Sequence, residues 1–346
     1  MVFTKLHWKR WVFLAITLVM VVSLFVGCGE AEEEKPTILI ADNQYQSIWI
    51  ENAIAEYIIE KGYGYPTEEL ILDTPVLLLS LSNGDIHLCM EMWHQNYVEW
   101  WEEQTTAGNI EPLALILEGG PQFWMIPQWV HEEYNINTID DMKDHWELFK
   151  DPEDPTKGAF INSKIGWKCT VINEIKVEGY GLTDNYNVIT AGSAGAADAV
   201  LMGAQKKHEP VFGYYWAPTA LMGMYDWYIL EEPEYDEEVW AKVVAAVDDE
   251  SLRPVDEACE YPSQPIPICI HRSLRDIAPD VVAMLEKMVI GLDRVNKAAA
   301  WAEENQIGDE WDRAAVWFLR EYDSLWKTWV TTDAYNKIKD ALAEEE

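Results

Sequence analysis

The sequence is poor in basic residues. Its 25 lysines and arginines stand against 61 aspartates and glutamates, which gives a formal net charge of -36 at pH 7. Because phosphate binding needs clustered Lys and Arg side chains, this deficit argues against a nucleic-acid-binding function. The chain also lacks internal repeats and low-complexity tracts, and 49% of its residues are hydrophobic. The composition therefore predicts a folded protein with a solvated, strongly acidic surface rather than a disordered acidic tail.

A long apolar run occurs only near the N-terminus. Residues 11–26 are apolar and uncharged, follow a basic segment and end at Gly27-Cys28, a pattern typical of a secretory signal peptide. A small residue directly before a cysteine resembles a bacterial lipobox, in which residues 1–27 are removed and Cys28 is lipidated. The alternative is an uncleaved membrane anchor, since the run is close to spanning length. Both place a domain outside the cytoplasm, tethered to the cell membrane through the linker 28–36.

Cysteine is scarce in the body of the chain, where only four are found. Outside the cytoplasm four cysteines can pair in three ways. Cys89 and Cys269 lie inside apolar, strand-like runs and are predicted to be small core residues. Cys169 and Cys259 have more polar surroundings, so we favour a disulfide between these two.

Short apolar runs alternate with helical patterns along the chain. Residues 37–41 predict a strand, and the apolar spacing of residues 48–58 predicts a helix that stops at a glycine-rich turn. Residues 86–92 and 211–214 predict two further strands. Other runs of this kind lie at residues 70–72, 113–117, 123–126, 186–189 and 266–270. Strands that alternate with helices predict an α/β protein with mainly parallel sheets.

A glycine-rich segment ending at Pro121 suggests where the chain crosses between two lobes. Residues 37–120 and about 231–346 are predicted to form the first lobe, and residues 121–230 to form the second. An exported chain with one α/β lobe inserted into another has the plan of a transporter's solute-binding protein.

Large aromatic residues follow several predicted strands. Tyr45 lies just past the first strand, Trp93 follows the strand 86–92, and Tyr215 with Trp216 follows the strand 211–214. Because ligands of open α/β sheets bind at the carboxyl ends of the strands, we expect these rings to meet in the cleft between the lobes. Aromatic residues gathered there predict a cage for a cation.

Three separated segments resemble one protein family. Residues 52–65 (NAIAEYIIEKGYGY), 83–93 (NGDIHLCMEMW) and 213–218 (GYYWAP) are similar to the glycine betaine/proline betaine-binding proteins of ABC transporters. The resemblance implies the two-lobed type II periplasmic-binding-protein fold, with the ligand held between the lobes. It implies binding of glycine betaine or a related quaternary amine and its delivery to a permease. No cofactor, resident metal or catalysis is expected.

The resemblance also implies residue roles. Trp93 and Trp216 fall on cage tryptophans, one from each lobe, and Tyr45 lies at or beside a third cage position, with Trp49 as its rival. Two more rings, Tyr215 and Trp124, remain open between ligand binding and packing.

The ligand's acid end is implied to lie at a turn in the second lobe. There the backbone amides around Ile165, Gly166 and Trp167 would hold the carboxylate. Some relatives add a histidine shortly after the first cage tryptophan, where this chain has Asn96 and its neighbours. Glu91 is left with two interpretations, a charge beside the cage or a strand residue that faces a polar neighbour.

Two short segments of the sequence suggest other functions. His87, Glu91 and His94 would share one face of a helix, as in a zinc-binding transport lipoprotein, but the surrounding apolar alternation favours a strand. Residues 191–195 (AGSAG) superficially resemble a hydrolase nucleophile elbow, but the segment opens a helix without an obvious preceding strand. Both alternatives are therefore weaker than a binding protein.

Overall fold

The computed structural model describes residues 35–263 and 265–345 of the chain. The predicted signal peptide, the lipidation site Cys28 and nearly all of the predicted linker lie outside the described residues. Two five-stranded sheets organise the described part, and each forms the centre of one lobe. None of the helices described here combines the length and apolarity that a membrane crossing requires.

The first lobe is built on a mixed sheet with strand order β2-β1-β3-β10-β4. Its strands are β1 (Ile38–Asp42), β2 (Thr67–Ile71), β3 (Leu88–Cys89), β4 (Ile110–Leu117) and β10 (Ile266–His271). Strand β1 runs parallel to β2 and β3, whereas β10 is antiparallel to β3 and β4. Apolar residues on both faces of β1 and β10 are buried, as expected for strands covered by helices.

The second lobe is built on a sheet with strand order β7-β6-β8-β5-β9. Its strands are β5 (Gln122–Pro127), β6 (Gly158–Lys164), β7 (Tyr186–Ala191), β8 (Gly213–Trp216) and β9 (Trp227–Ile229). Strand β6 is parallel to β7 and β8, and β5 is antiparallel to β8 and β9. The α/β class and the two-lobed plan are therefore confirmed.

Helices cover both sheets. Those preceding the second crossing are α1 (Gln46–Tyr57), which continues as a π-helical turn (Ile58–Tyr63), α2 (Thr74–Asn83), α3 (Val98–Ala107), α4 (Gln128–Tyr134), α5 (Met142–His145), α6 (Lys168–Gly179), α7 (Ala194–Lys207), α8 (Ala220–Met224) and α9 (Glu237–Asp248). Those following it are α10 (Leu274–Ile277), α11 (Pro279–Leu285), α12 (Leu292–Glu304), α13 (Trp311–Glu321), α14 (Asp323–Trp326) and α15 (Thr332–Glu344). The C-terminal helices α12 and α13 pack on α1.

The chain passes twice between the sheets. The first crossing follows β4 and precedes β5. After it, α9 packs against α6 of the second lobe, and the chain rejoins the first sheet at β10.

Two predicted strands have different bounds. The strand predicted at residues 86–92 is reduced to β3, although the Met92 amide still donates to the carbonyl oxygen of Pro267 in β10 at 3.0 Å. The strand predicted at residues 211–214 begins and ends two residues later, as β8. Trp216 is therefore the last residue of a strand rather than a residue that follows one.

The predicted disulfide between Cys169 and Cys259 is not formed, and the described cysteines are buried free thiols. Each of the two has a different partner. The Sγ atom of Cys169 lies 3.4 Å from the Ser163 hydroxyl, and the Cys259 thiol donates to the carbonyl oxygen of Asp236 at 3.7 Å. The polar surroundings that suggested the bridge are thus local hydrogen-bond partners.

Candidate functional site

A pocket lies between the two lobes. The first lobe contributes to its wall Asn43, Tyr45, Thr74, Leu77, Glu91, Trp93, Asn96 and Tyr97, and the second contributes Gln122, Trp167, Lys168, Cys169, Tyr214 and Trp216. Aromatic rings dominate both sides. The structure brings Tyr45, Trp93 and Trp216, three of the predicted site residues, together at this pocket.

Three of these rings stand at right angles to one another. The Tyr45 ring meets Trp167 at 89° and Trp216 at 81°, with centroid distances of 5.5 and 6.1 Å. Trp167 and Trp216 meet at 84° and 5.4 Å. All three rings line the pocket, and the face of an aromatic ring carries the negative part of its quadrupole.

Local structure explains where these rings come from. Tyr45 immediately precedes α1, shortly after β1 ends, and Trp167 immediately precedes α6, shortly after β6 ends. Trp216 ends β8. Trp167 was predicted to contribute its backbone amide, and sequence reasoning missed that its ring forms a wall of the pocket.

Side-chain alternation along β8 separates its three aromatic residues. Tyr214 and Trp216 share one face and line the pocket, whereas Tyr215 points to the other face, where its hydroxyl donates to Oδ1 of Asp198 at 2.7 Å. Tyr214 therefore lines the pocket, and the predicted site residue Tyr215 does not. The period of two in a strand was the signal that could have selected Tyr214.

Trp93 closes the pocket from the first lobe. Its indole N–H donates to Oε2 of Glu91 at 2.8 Å. The first crossing passes against the ring, since a Cβ atom on Gly120 would lie only 2.7 Å from Cζ3 of Trp93. A glycine at position 120 therefore allows the crossing segment to pack directly on the cage.

Two buried carboxyl groups lie behind the cage. Glu91 lines the pocket, and Glu51 of α1 lies beside it. Burial raises the pKa of Glu91, against the opposing effect of hydrogen-bonding groups on Ser47, Trp93 and Tyr45. Burial, together with repulsion from Glu91, holds the pKa of Glu51 well above its usual range. The pKa values of both carboxyl groups are therefore raised, and that of Glu51 lies the further above its usual range.

The turn between β6 and α6 lies at the lobe boundary. Gly166 has a left-handed backbone (φ 93°), and a Cβ atom there would collide with the carboxylate of Asp73. Its carbonyl oxygen accepts from the Thr74 amide at 3.2 Å. Ile165 and Gly166 border an adjacent groove, whereas Lys168 and Cys169, the first residues of α6, line the pocket.

A polar network forms another wall. The amide of Gln122 donates to Oδ1 of Asn96 at 3.1 Å, and the Tyr214 hydroxyl donates to Oε1 of Gln122 at 2.8 Å. Asn96 belongs to the first lobe and Gln122 to the second. Sequence reasoning noted Asn96 only as a replacement for a histidine and missed Gln122, because their pairing depends on the crossing between the lobes.

The lobes are in direct contact around the pocket. The indole N–H of Trp167 donates to the carbonyl oxygen of Asn43 at 3.0 Å, and Lys164 forms a 2.5 Å ion pair with Asp73. These bonds join residues of opposite lobes, so the structure represents a closed cleft.

The two alternative aromatic residues considered for the cage lie outside the pocket. Trp49 stacks on Trp311 at 5.2 Å and donates to Asp42, so Tyr45 rather than Trp49 reaches the cage. Trp124 is fully buried in the second lobe, where its indole N–H donates to Asn173 at 2.9 Å.

The three residues of the alternative zinc site do not lie together. His87 accepts from the Leu39 amide at 3.0 Å, His94 stacks on Trp101 at 4.7 Å, and Glu91 faces the pocket. Within residues 35–263 and 265–345, no group of three or more His, Cys, Asp or Glu side chains is arranged to hold a metal ion. The zinc hypothesis therefore has no support from this geometry.

Comparisons with known proteins agree with the site. Residues 36–321 match the OpuAC family, described as the substrate-binding domain of the ABC-type glycine betaine transport system. The trimethylamine N-oxide-binding protein of Pelagibacter ubique is 22% identical over 343 residues, which cover 92% of this chain and 98% of the relative.

Solved structures show the same fold. The glycine/betaine/L-proline-binding protein ProX of Borrelia burgdorferi superposes with a TM-score of 0.68 at 17% identity, over 87% of this chain and 99% of that one. An ABC-transporter choline-binding protein in complex with choline has a TM-score of 0.67 at 18% identity, over 88% and 98% of the two chains. The chain belongs to the OpuAC family, the substrate-binding domain of the ABC-type glycine betaine transport system.

Proposed function

We propose that the pocket binds glycine betaine or a close quaternary amine, with the methylated nitrogen among the rings of Tyr45, Trp93, Trp167 and Trp216. The observation that carries this proposal is the mutually perpendicular arrangement of Tyr45, Trp167 and Trp216 around one pocket. A trimethylammonium group has no N–H donor, so ring faces rather than hydrogen bonds must recognise it.

The charges at the pocket favour one orientation of the ligand. Glu91 lies next to Trp93, so the cationic end is stabilised on that side and a carboxylate there would be repelled. Lys168 and Cys169 open α6, and the first N–H groups of a helix have no partner within the helix. The positive end of the helix dipole makes that turn a suitable place for the ligand's carboxylate.

The free energies expected from the individual interactions support micromolar binding. Each well-placed ring contributes about 0.5 to 2 kcal/mol, and each charge-assisted hydrogen bond about 1.5 to 3 kcal/mol. Four rings and two such bonds can therefore exceed the roughly 8 kcal/mol of a micromolar complex after the costs of association. An importer that scavenges dilute solute needs an affinity in this range.

Calorimetry against a panel of amines tests the proposal. The panel contains glycine betaine, proline betaine, carnitine, choline, trimethylamine N-oxide and glycine, and it includes the compounds named for the Pelagibacter relative and the choline-binding protein. We expect glycine betaine to bind at least as tightly as choline, because only betaine can use the start of α6. Tighter binding of choline would assign the pocket to a ligand without a carboxylate, and no binding of any methylated amine would refute the cage.

We further propose that the protein is exported, anchored to the membrane through lipidated Cys28, and delivers its ligand to a permease. The apolar run ending at Gly27-Cys28 supports the anchor. The Cys28→Ser variant should lose incorporation of a labelled fatty acid and leave the membrane fraction. Continued labelling of that variant would contradict lipidation at this residue.

A further inference from the structure

Two cysteines of the first lobe lie directly opposite each other. Cys89 ends β3, and its register partner on the antiparallel strand β10 is Cys269. Directly opposite residues of an antiparallel pair project to the same face of the sheet, and both side chains belong to one buried apolar cluster with Ala41, Leu77 and Met92. The two thiols therefore face the same side of the sheet as neighbours.

The backbone spacing at this position suits a disulfide. Directly opposite residues in an antiparallel pair have Cα atoms about 4.5 to 5.5 Å apart. Disulfide-bonded cysteines have Cα atoms roughly 4.4 to 6.8 Å apart, so a bridge requires no separation of the strands. Cys169 lies in helix α6 and Cys259 outside the strands, so the pair on β3 and β10 is the one that strand register aligns.

We propose that Cys89 and Cys269 are a modification site and form a cross-strand disulfide in an oxidising environment. The oxidant is a disulfide, either glutathione disulfide or a protein disulfide. One cysteine thiolate attacks this disulfide, forms a mixed disulfide and releases one thiol. The second cysteine thiolate then attacks the mixed disulfide and releases the second thiol. Two protein thiols are thus oxidised, and one disulfide of the oxidant is reduced to two thiols.

Burial determines when the bridge can form. The thiols are sealed in the apolar cluster, and burial raises the pKa of Cys89 to about 12, which suppresses its reactive thiolate. Oxidation is therefore expected during folding, before the strands are covered, rather than in the finished protein.

The bridge would fix the base of the ligand pocket. The thiol of Cys89 donates to the carbonyl oxygen of Glu91 at 3.4 Å, and the chain continues from there to Trp93. Strand β10 is the first strand after the second crossing. A bond between the two strands would join the segment that carries Glu91 and Trp93 to the segment that returns from the second lobe.

The test is a refolding experiment on the full chain. Protein purified in reductant is unfolded, then refolded in a glutathione redox buffer or in reductant alone. The remaining thiols are alkylated in denaturant, and unreduced digests are analysed by mass spectrometry. We expect one cross-linked peptide joining Cys89 to Cys269, with Cys169 and Cys259 alkylated. A Cys169→Ser/Cys259→Ser variant keeps both proposed partners and should give the same cross-link.

Thermal unfolding provides a second measurement. Because the bridge closes a loop of roughly 180 residues, the oxidised protein should melt about 5 to 10 °C above the reduced protein. Cys89→Ser should abolish that difference. Recovery of both Cys89 and Cys269 in alkylated form after oxidative refolding, or their linkage to Cys169 or Cys259 instead, would overturn the proposal even if Cys89→Ser fails to fold.

Discussion

The second lobe contains an internal aromatic cage that is filled by the protein's own cation. The ammonium group of Lys176 lies 4.1 Å from the centroid of Tyr261, 5.3 Å from Trp124 and 5.6 Å from Tyr180. It also forms a 2.6 Å ion pair with Glu232. The cleft contains a second group of rings beside a glutamate, and residues of two different lobes form it.

The chemistry of the two cations explains the difference between the cages. A primary ammonium has three N–H donors that ring faces cannot fully satisfy, so Lys176 needs the Glu232 carboxylate. A quaternary ammonium has no donors, and rings alone can replace its weakly held water. The internal cage is therefore part of the stability of one lobe, whereas the cleft cage combines residues of both lobes. Trp124, whose role the sequence left open, belongs to the internal cage.

Breaking the internal cage should have the largest effect, and the effect should be on stability. Lys176→Ala leaves Glu232 buried without its cation, which should lower the free energy of unfolding by about 3 to 5 kcal/mol. Denaturant unfolding measures this loss, and betaine affinity of the remaining folded protein should change little. The double variant Lys176→Met/Glu232→Gln removes both charges and should recover much of the stability. A double variant as unstable as the single one would show that the rings, not the charge pair, stabilise this region.

A series of glycine derivatives with increasing methylation tests the cleft cage. Glycine should bind at least a hundredfold more weakly than glycine betaine, roughly 3 kcal/mol. Its primary ammonium loses hydrogen bonds to water on binding, and the rings of the cleft cannot replace them. Affinity should rise with each methyl group from glycine to trimethylglycine. Competition measurements at fixed salt are needed, since an acidic protein attracts cations at low ionic strength. Equal affinities along the series would contradict recognition by ring faces.

Breaking the cleft cage should affect binding without affecting the fold. Trp93→Ala and Trp216→Ala should each weaken betaine binding at least tenfold, about 1.4 kcal/mol. Tyr215→Phe is the matched control, because its ring lies next to Trp216 but its hydroxyl contacts Asp198 outside the pocket. Calorimetry should give a wild-type affinity for this control. Unchanged affinity in both tryptophan variants would rule out the assigned cage.

The smallest effect concerns the glutamate beside the cleft cage. Burial raises the pKa of Glu91, so its negative charge is lost as the pH falls through this raised pKa. Betaine affinity should therefore decrease a few-fold at acidic pH, and choline, which has a net positive charge, should be affected more. Glu91→Gln should reduce affinity at neutral pH by a similar factor and flatten the pH profile. A profile of Glu91→Gln as steep as that of the wild type would assign the pH dependence to another group.

Much of the fold could be predicted from the chain. The alternation of strands and helices and the family followed from local patterns and three short motifs. The bounds of β3 did not, because β3 pairs with β10, a strand far along the chain. Nothing local to α9 indicates that it packs on α6 of the second lobe.

The sequence by itself determined which residue types stand near the pocket. It placed Tyr45, Trp93 and Trp216 at strand ends, where the sheets of both lobes direct them into one cleft. Only the tertiary structure decided the orientation of the side chains. It selected Tyr214 over Tyr215, the ring of Trp167 rather than its amide alone, and Lys168 with Cys169 over Ile165 with Gly166. The physical reason is that ligand contacts require convergence of side chains from distant segments, and that convergence is fixed by register, crossings and lobe closure rather than by local pattern.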